Sequence, residues 1–389
     1  MLGISGSAAF SYSSGVFLLP IVGEFGWTRA EFSGAFTLQM TVALFVMPLV
    51  GRLVDKVGPR KLALGGIAPF VLGLSVLGLA SGQVWQWWAL CVFQGLCSAF
   101  IVPTVWMAAV VGRFDKSRGL AMAIALAGIS LGSAIWPVLG AYYVENFGWR
   151  QAYLAMALTW AVPIVPLTFL AFHGARDLDD NTAAPLRLPS IWPSLRTGGF
   201  IFLALAGLIF ASMSFGLTMY FVPLLQDRGL PREVAAWMAG LIGLAAIAGR
   251  VGMGFLLDRL PTRPMAVAVF LLPALVATIL LIGADSRAAI ICAAVVLGLA
   301  QGAEIDLITY ITARQFGITL FGSIYSILLG FVSVGASLGP LIAGSLFDMR
   351  GDYDGFLQLI AGAVIVAAIL VGLATASKTA STATAACES

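Results

Sequence analysis

The sequence repeats itself at a fixed distance. GRLVDKVGPRK at Gly51 to Lys61 returns in weaker form as GFLLDRLPTR at Gly254 to Arg263, and 258 minus 55, 254 minus 51 and 263 minus 60 are each 203. The same register, without gaps, sets Pro20 on Pro223, Gly26 on Gly229, Arg29 on Arg232, Gly132 on Gly335, Pro137 on Pro340, Glu145 on Asp348 and Gly148 on Gly351. One register held over that distance is a duplication, so the chain must fold as two copies of one unit. The shared residues are chiefly glycines and prolines, which let helices approach and bend inside a membrane.

Composition fixes the medium. With 60% hydrophobic and 10% charged residues and a mean hydropathy of +1.00, the chain is a polytopic membrane protein whose main partner is the lipid bilayer. A net charge of +3, spread over short connections, gives no support to nucleic-acid binding. Cys91, Cys97, Cys292 and Cys387 have neither metal-ligand spacing nor a disulfide framework and read as packing residues. No Ser-His-Asp arrangement, metal cluster or phosphate-binding glycine loop is present, so the expectation is no cofactor, no metal and no enzymatic activity, and no obligatory protein partner is evident. The N-terminal apolar run lacks a basic leader and cleavage site and reads as the first span.

About 20 apolar residues cross a bilayer. That rule predicts an all-α membrane protein of twelve transmembrane helices in two six-helix bundles: about 3–22, 30–54, 62–81, 85–112, 118–144 and 151–172, then 199–224, 233–257, 264–283, 288–313, 319–347 and 355–376. The expected organisation is an N-terminal bundle at 1–173, a polar linker at 174–197, a C-terminal bundle at 198–377 and a disordered tail at 378–389. Lys and Arg fall fourteen to six in favour of the side carrying Lys56 and Arg60, which predicts cytoplasmic termini. Thr28 with Glu31 three residues later reads as a capping box opening the second helix.

Within the repeated motif, Gly51 allows close helix approach, Asp55 places a carboxylate at a helix end, and Lys56, Arg60 and Lys61 crowd a short turn. In that setting the chain resembles the major facilitator superfamily, whose signature connection between the second and third helices has this form. The resemblance implies secondary transport by two bundles rocking around a central cavity. It also implies a gating role for Gly51, Asp55, Arg60 and the second-copy Asp258, although the cations also satisfy the positive-inside rule alone. FGWTRAEFS at Phe25, RFDKSRGLAMAIALAGISLGS at Arg113, FGWRQAY at Phe147 and GAEIDLITYITARQFG at Gly302 are similar to bacterial members of the monocarboxylate and oxalate carrier family. That similarity implies a small organic anion, moved with a proton across the cell inner membrane. A proton-driven exporter of a drug or hydrophobic metabolite is the alternative.

Where the two copies differ, the difference points to function. Arg250 stands opposite Met47, Glu304 opposite Ile101 and Asp306 opposite Pro103, and all three lie inside predicted spans. An ionisable group at membrane depth is costly and normally faces a cavity or a partner. By resemblance Arg250 binds the substrate carboxylate, for which its planar fork is suited; snorkelling, or a permanent pair with an acid of the tenth helix, is the structural reading. Glu304 and Asp306 point about 200° apart on a helix, so one faces the cavity and the other packs against a neighbour. Desolvation favours the protonated acid and a nearby arginine the ionised one, so either is a candidate proton carrier. Tyr12 and Tyr310 are further candidate substrate contacts. The first and eleventh helices lack the lysines of better-known relatives, and a single fixed cation favours a monovalent anion.

Overall fold

The computed structural model of the chain describes residues 1–103, 105–106, 118–171, 192–257, 259–283 and 286–376. Side chains are described at these positions except 44, 47–48, 51–52, 54–55, 118–124, 171 and 317–323. Most of the expected linker and the tail 378–389 lie outside the described residues; of the linker, Trp192–Leu195 forms a single helical turn.

Among the described residues the secondary structure is helical, with no strand. In hydrocarbon each backbone N–H and C=O must find its partner within its own segment, and these apolar runs therefore have little choice. The helices are α1 (Leu2–Phe25), α2 (Arg29–Val57), α3 (Pro59–Leu79) and α4 (Val84–Ile101). Arg118–Ala171 breaks at Gly148 into α5 (118–147) and α6 (149–171). The remainder are α7 (Gly198–Asp227), α8 (Arg232–Leu257), α9 (Thr262–Ile282), α10 (Arg287–Phe316), α11 (Ile324–Arg350) and α12 (Asp354–Ala376).

The chain is helical on both sides of a reversal between α10 and α11, within Arg287–Arg350. The hydroxyls of Thr309 and Tyr325 are 3.0 Å apart, whereas 16 residues of straight helix would separate them by about 24 Å.

Three local details differ from the sequence expectation. The short turn expected in the motif at Gly51 to Lys61, between spans ending near 54 and starting near 62, is tighter still: α2 continues to Val57, Gly58 takes φ 89°, and Pro59 starts α3 at once. The fourth span, expected over 85–112, breaks at Val102, which is extended (φ −59°, ψ 158°), as a residue before proline prefers; positions 103, 105 and 106 are helical again, and 107–112 lie outside the described residues. The Trp106 indole then donates to the Ile101 carbonyl at 3.0 Å. The third is the α10–α11 junction, where the chain reverses without an extended loop.

The duplication is visible in the backbone. Gly26 and Gly229 (φ 68° and 86°) end the first helix of each copy, and Gly148 and Gly351 (φ 75° and 79°) end the fifth. A methyl group at Gly132 would fall 2.6 Å from the Ser5 carbonyl oxygen, and one at Gly335 would fall 2.1 Å from that of Leu208. Ser5 and Leu208 are themselves 203 apart, so the α1–α5 and α7–α11 contacts are one packing made twice.

The capping box forms as read. Glu31 Oε2 accepts the Thr28 N–H at 2.8 Å, and Thr28 Oγ1 accepts the Glu31 N–H at 3.1 Å.

Contacts divide the chain into two compact units. Unit 1 comprises Met1–Ala183, Thr218–Leu244 and Pro340–Met349; unit 2 comprises Ala184–Leu217, Ala245–Gly339 and Arg350–Ser389. Unit 1 is tied by aromatic rings and indole donors: Phe17 stacks on Tyr153 at 4.1 Å, and Trp136 and Trp160 donate to the carbonyls of Ser5 and Leu2 at 2.8 and 3.2 Å. Replacing Trp136 by Phe leaves the buried Ser5 carbonyl without that donor and should cost about 1–3 kcal/mol, read as a lower melting temperature in detergent. Unit 2 packs around Phe210, Phe270, Leu307, Ile324, Leu328 and Val371, drawn from five helices.

Candidate functional site

Unit 2 places its charges by a close helix crossing. A methyl group at Gly302 on α10 would stand 2.1 Å from the Ala246 carbonyl oxygen and 2.9 Å from the Arg250 nitrogen on α8, so the backbones touch there. One turn further along each helix come Arg250 and Asp306, since 246 to 250 and 302 to 306 are both i, i+4 steps on one face. Arg250 Nη1 lies 3.4 Å from Asp306 Oδ1, with the two side chains 17% and 27% exposed. The bond is long, and Arg250 Nε is buried with no hydrogen-bond partner among the described residues. A guanidinium carries five donors in a planar fork, so this one has spare capacity for an anion.

The two acids separate as their spacing requires. Asp306 meets Arg250, while Glu304 is buried, 6% exposed, with Oε1 lacking a partner among the described residues. Beside the pair, Thr309 Oγ1 donates to the Tyr325 hydroxyl at 3.0 Å, and Tyr325 lies within electrostatic reach of Arg250, Asp306 and Glu304. Gln301 Nε2 donates to the Ser214 carbonyl at 3.2 Å, linking α10 to α7. The sequence alone does not single out Tyr325. Its signal was a polar aromatic inside an apolar span, which packing tyrosines share.

Tyr310 is half-buried against the unit 2 core. Tyr12 is half-buried on α1, which belongs to unit 1. Of the gating candidates, Asp258 and the side chains of Gly51 and Asp55 lie outside the described residues. Arg60 is half-buried; its Nη2 donates to the Phe169 carbonyl at 2.8 Å, near the C-terminal end of α6, and its Nε has no partner among the described residues. A cation there also complements the helix dipole.

The fold and site together define a duplicated helical membrane protein with an arginine–aspartate pair inside one of its units. The sequence pattern described as Major Facilitator Superfamily matches residues 1–316 and 227–386, and the chain belongs to that superfamily. It is 26% identical over 348 residues to the MFS transporter asaE of Aspergillus flavus, covering 86% of this chain and 77% of the relative. It is 27% identical over 362 residues to monocarboxylate transporter 13 of Rattus norvegicus, covering 91% and 82%. The agnestins efflux protein AgnL12 of Paecilomyces divaricatus is 29% identical over 322 residues, covering 81% and 71%.

Among solved structures, a bacterial homolog of the human lysosomal transporter Spinster, in an inward-facing and unoccupied conformation, superposes with a TM-score of 0.71 at 15% identity, covering 96% of this chain and 94% of that one. These relatives are named transporters, and the chain is a multi-pass membrane transporter and not an enzyme.

Proposed function

We propose that the chain is a secondary active transporter of small organic anions, monocarboxylates first, coupled to protons and sited in a bacterial-type inner membrane with both termini cytoplasmic. One observation carries the reading: among the described residues, Arg250 is a mostly buried guanidinium held by one long contact to Asp306, with Nε without a partner. A carboxylate arriving there can take the fork in two bonds and displace Asp306. Asp306, released from its cation in a partly dry site, then favours a proton, and gives it up when the substrate leaves and Arg250 returns. Glu304 is the second candidate proton carrier, and Tyr12 and Tyr310 are candidate substrate contacts. Gly51, Asp55, Arg60 and Asp258 serve in this reading as gate residues on the cytoplasmic side. Similarity to monocarboxylate transporter 13 supports the substrate class.

Asp306→Asn should retain substrate exchange but lose most of its acceleration by an inward proton gradient, measured as uptake with and without the gradient. Retained acceleration there, together with its loss in Glu304→Gln, moves the proton to Glu304.

A second reading has a specific support, since AgnL12 is named an efflux protein. Here Arg250 would only hold an acid, and the cargo would be a hydrophobic metabolite. Counterflow in proteoliposomes separates the two: competition by small carboxylates alone supports the anion carrier, and competition by uncharged amphiphiles alone supports the exporter.

A further inference from the structure

A second cluster, wholly inside unit 1, lies at the opposite end of α2 from the Gly51–Lys61 motif. It joins α2, from the first sequence copy, to α7 and α11, from the second. Asp348 on α11 accepts the backbone N–H of Arg29 with Oδ1 at 3.0 Å and that of Ala30 with Oδ2 at 2.8 Å. The Arg29 guanidinium pairs with Asp227 at 2.8 Å and lies 3.5 Å over the Phe347 ring. Tyr220 donates to the Arg29 carbonyl at 3.1 Å, with Ser33 Oγ at 3.2 Å. Gly344 lets the backbones close, since a methyl group there would stand 2.5 Å from the Tyr220 hydroxyl and 2.9 Å from the Arg29 carbonyl carbon.

The first turn of α2 is thereby fully accounted for. Its four leading N–H groups, those of Thr28 to Glu31, have no intrahelical acceptor. Two are used in the capping box: Thr28 N–H goes to Glu31 Oε2 at 2.8 Å and Glu31 N–H to Thr28 Oγ1 at 3.1 Å. The other two go to the Asp348 carboxylate, where a negative charge also complements the helix dipole. Separating α11 from α2 strips both of those donors at once and takes the Phe347 ring from Arg29, which is only 8% exposed; its acid, Asp227, is lost only if α7 moves away as well.

The repeat predicts a mirror cluster, and the chain does not make it. The residues 203 away are Arg232 for Arg29, Glu24 for Asp227, Glu145 for Asp348, Phe17 for Tyr220 and Ala236 for Ser33. Both hydroxyls are gone. Glu24 is taken instead by Arg150 at 2.7 Å and by the Trp149 indole at 2.6 Å. Glu145 is exposed, and Arg232 Nε is buried without a partner among the described residues.

We infer that Arg29, Asp227, Asp348 and Tyr220 form a one-sided latch that closes this face of the transporter and must open once in each transport cycle. The latch sets the ratio of closed to open at that face, whatever substrate is carried.

The test is the distance across the face, by pulsed electron paramagnetic resonance between spin labels at Gly23→Cys and Glu233→Cys, with the native cysteines replaced. Both sites are exposed, and nothing lies within 4 Å of a side chain placed at Gly23. Hydrogen bonds to a charged group are worth about 10- to 100-fold in an equilibrium. Asp348→Ala should raise the long-distance population by about that factor. Arg150→Ala, which breaks the Glu24 pair and leaves the latch alone, should not.

Tyr220→Phe, a gentler change, should shift the population the same way by about 3- to 10-fold; it carries the test if Asp348→Ala does not fold. Unchanged distances in both latch variants overturn the inference. So does equal widening in Arg150→Ala, which would mean general loosening of the face. Because this readout needs no substrate, it stands or falls separately from the anion assignment.

Discussion

Arg250→Gln should fold normally and lose substrate binding and uptake by about 30-fold to 1,000-fold, the range expected when one partner of a buried charge-assisted contact is removed. Glutamine keeps a polar head of similar reach, so packing around α8 changes little, and the ionic half of the bond is what disappears. The remaining Asp306 carboxylate, 27% exposed and now without its cation, adds repulsion against an incoming anion. Arg250→Lys should fall between wild type and glutamine, because it restores the charge without the two-pronged geometry. Binding measured by titration calorimetry, alongside a melting temperature for each variant, checks this. An Arg250→Gln protein that binds carboxylates as tightly as wild type would remove the arginine from the site.

The second large effect comes from a residue with no side chain. At Gly302 even one methyl group would lie 2.1 Å from the Ala246 carbonyl oxygen, so α8 and α10 must part to admit it. Gly302→Leu should therefore cost about 1–3 kcal/mol or more from overpacking and also pull Arg250 away from Asp306. The outcome is a lowered melting temperature together with transport lost beyond what the surviving folded fraction explains. Gly252, where a side chain would meet nothing within 4 Å, is the control: Gly252→Ala should change neither measurement much.

Much of the architecture could be read from spacing. The 203-residue register foretold that Gly26 and Gly229, and Gly148 and Gly351, would play equal roles, and all four take positive φ. The Thr28–Glu31 box formed because its chemistry is local. Pro103 could have announced the break at Val102, but the apolar run carried on through it and hid the signal.

The candidate site was half legible. Repeat asymmetry singled out Arg250, Glu304 and Asp306, yet which acid meets the arginine depends on where α8 crosses α10, and only the Gly302 contact fixes that. The Arg29 cluster was less legible still. Its partners Asp227 and Asp348 lie about two hundred and three hundred residues along the chain, and no periodicity within α2 announces them. Sequence matched Arg29 to Arg232 as a repeat pair, which concealed how differently the two are used.

The central claim is that carboxylate binding at Arg250 is coupled to protonation of Asp306, so that anion and proton cross together. Uptake of labelled small monocarboxylates into proteoliposomes, with and without an imposed inward proton gradient, tests it most directly when wild type is run beside Arg250→Gln and Asp306→Asn. The account predicts gradient-driven uptake in wild type, none in Arg250→Gln, and exchange without gradient dependence in Asp306→Asn. Carboxylate uptake that ignores the gradient in wild type, or that survives intact in Arg250→Gln, would contradict it.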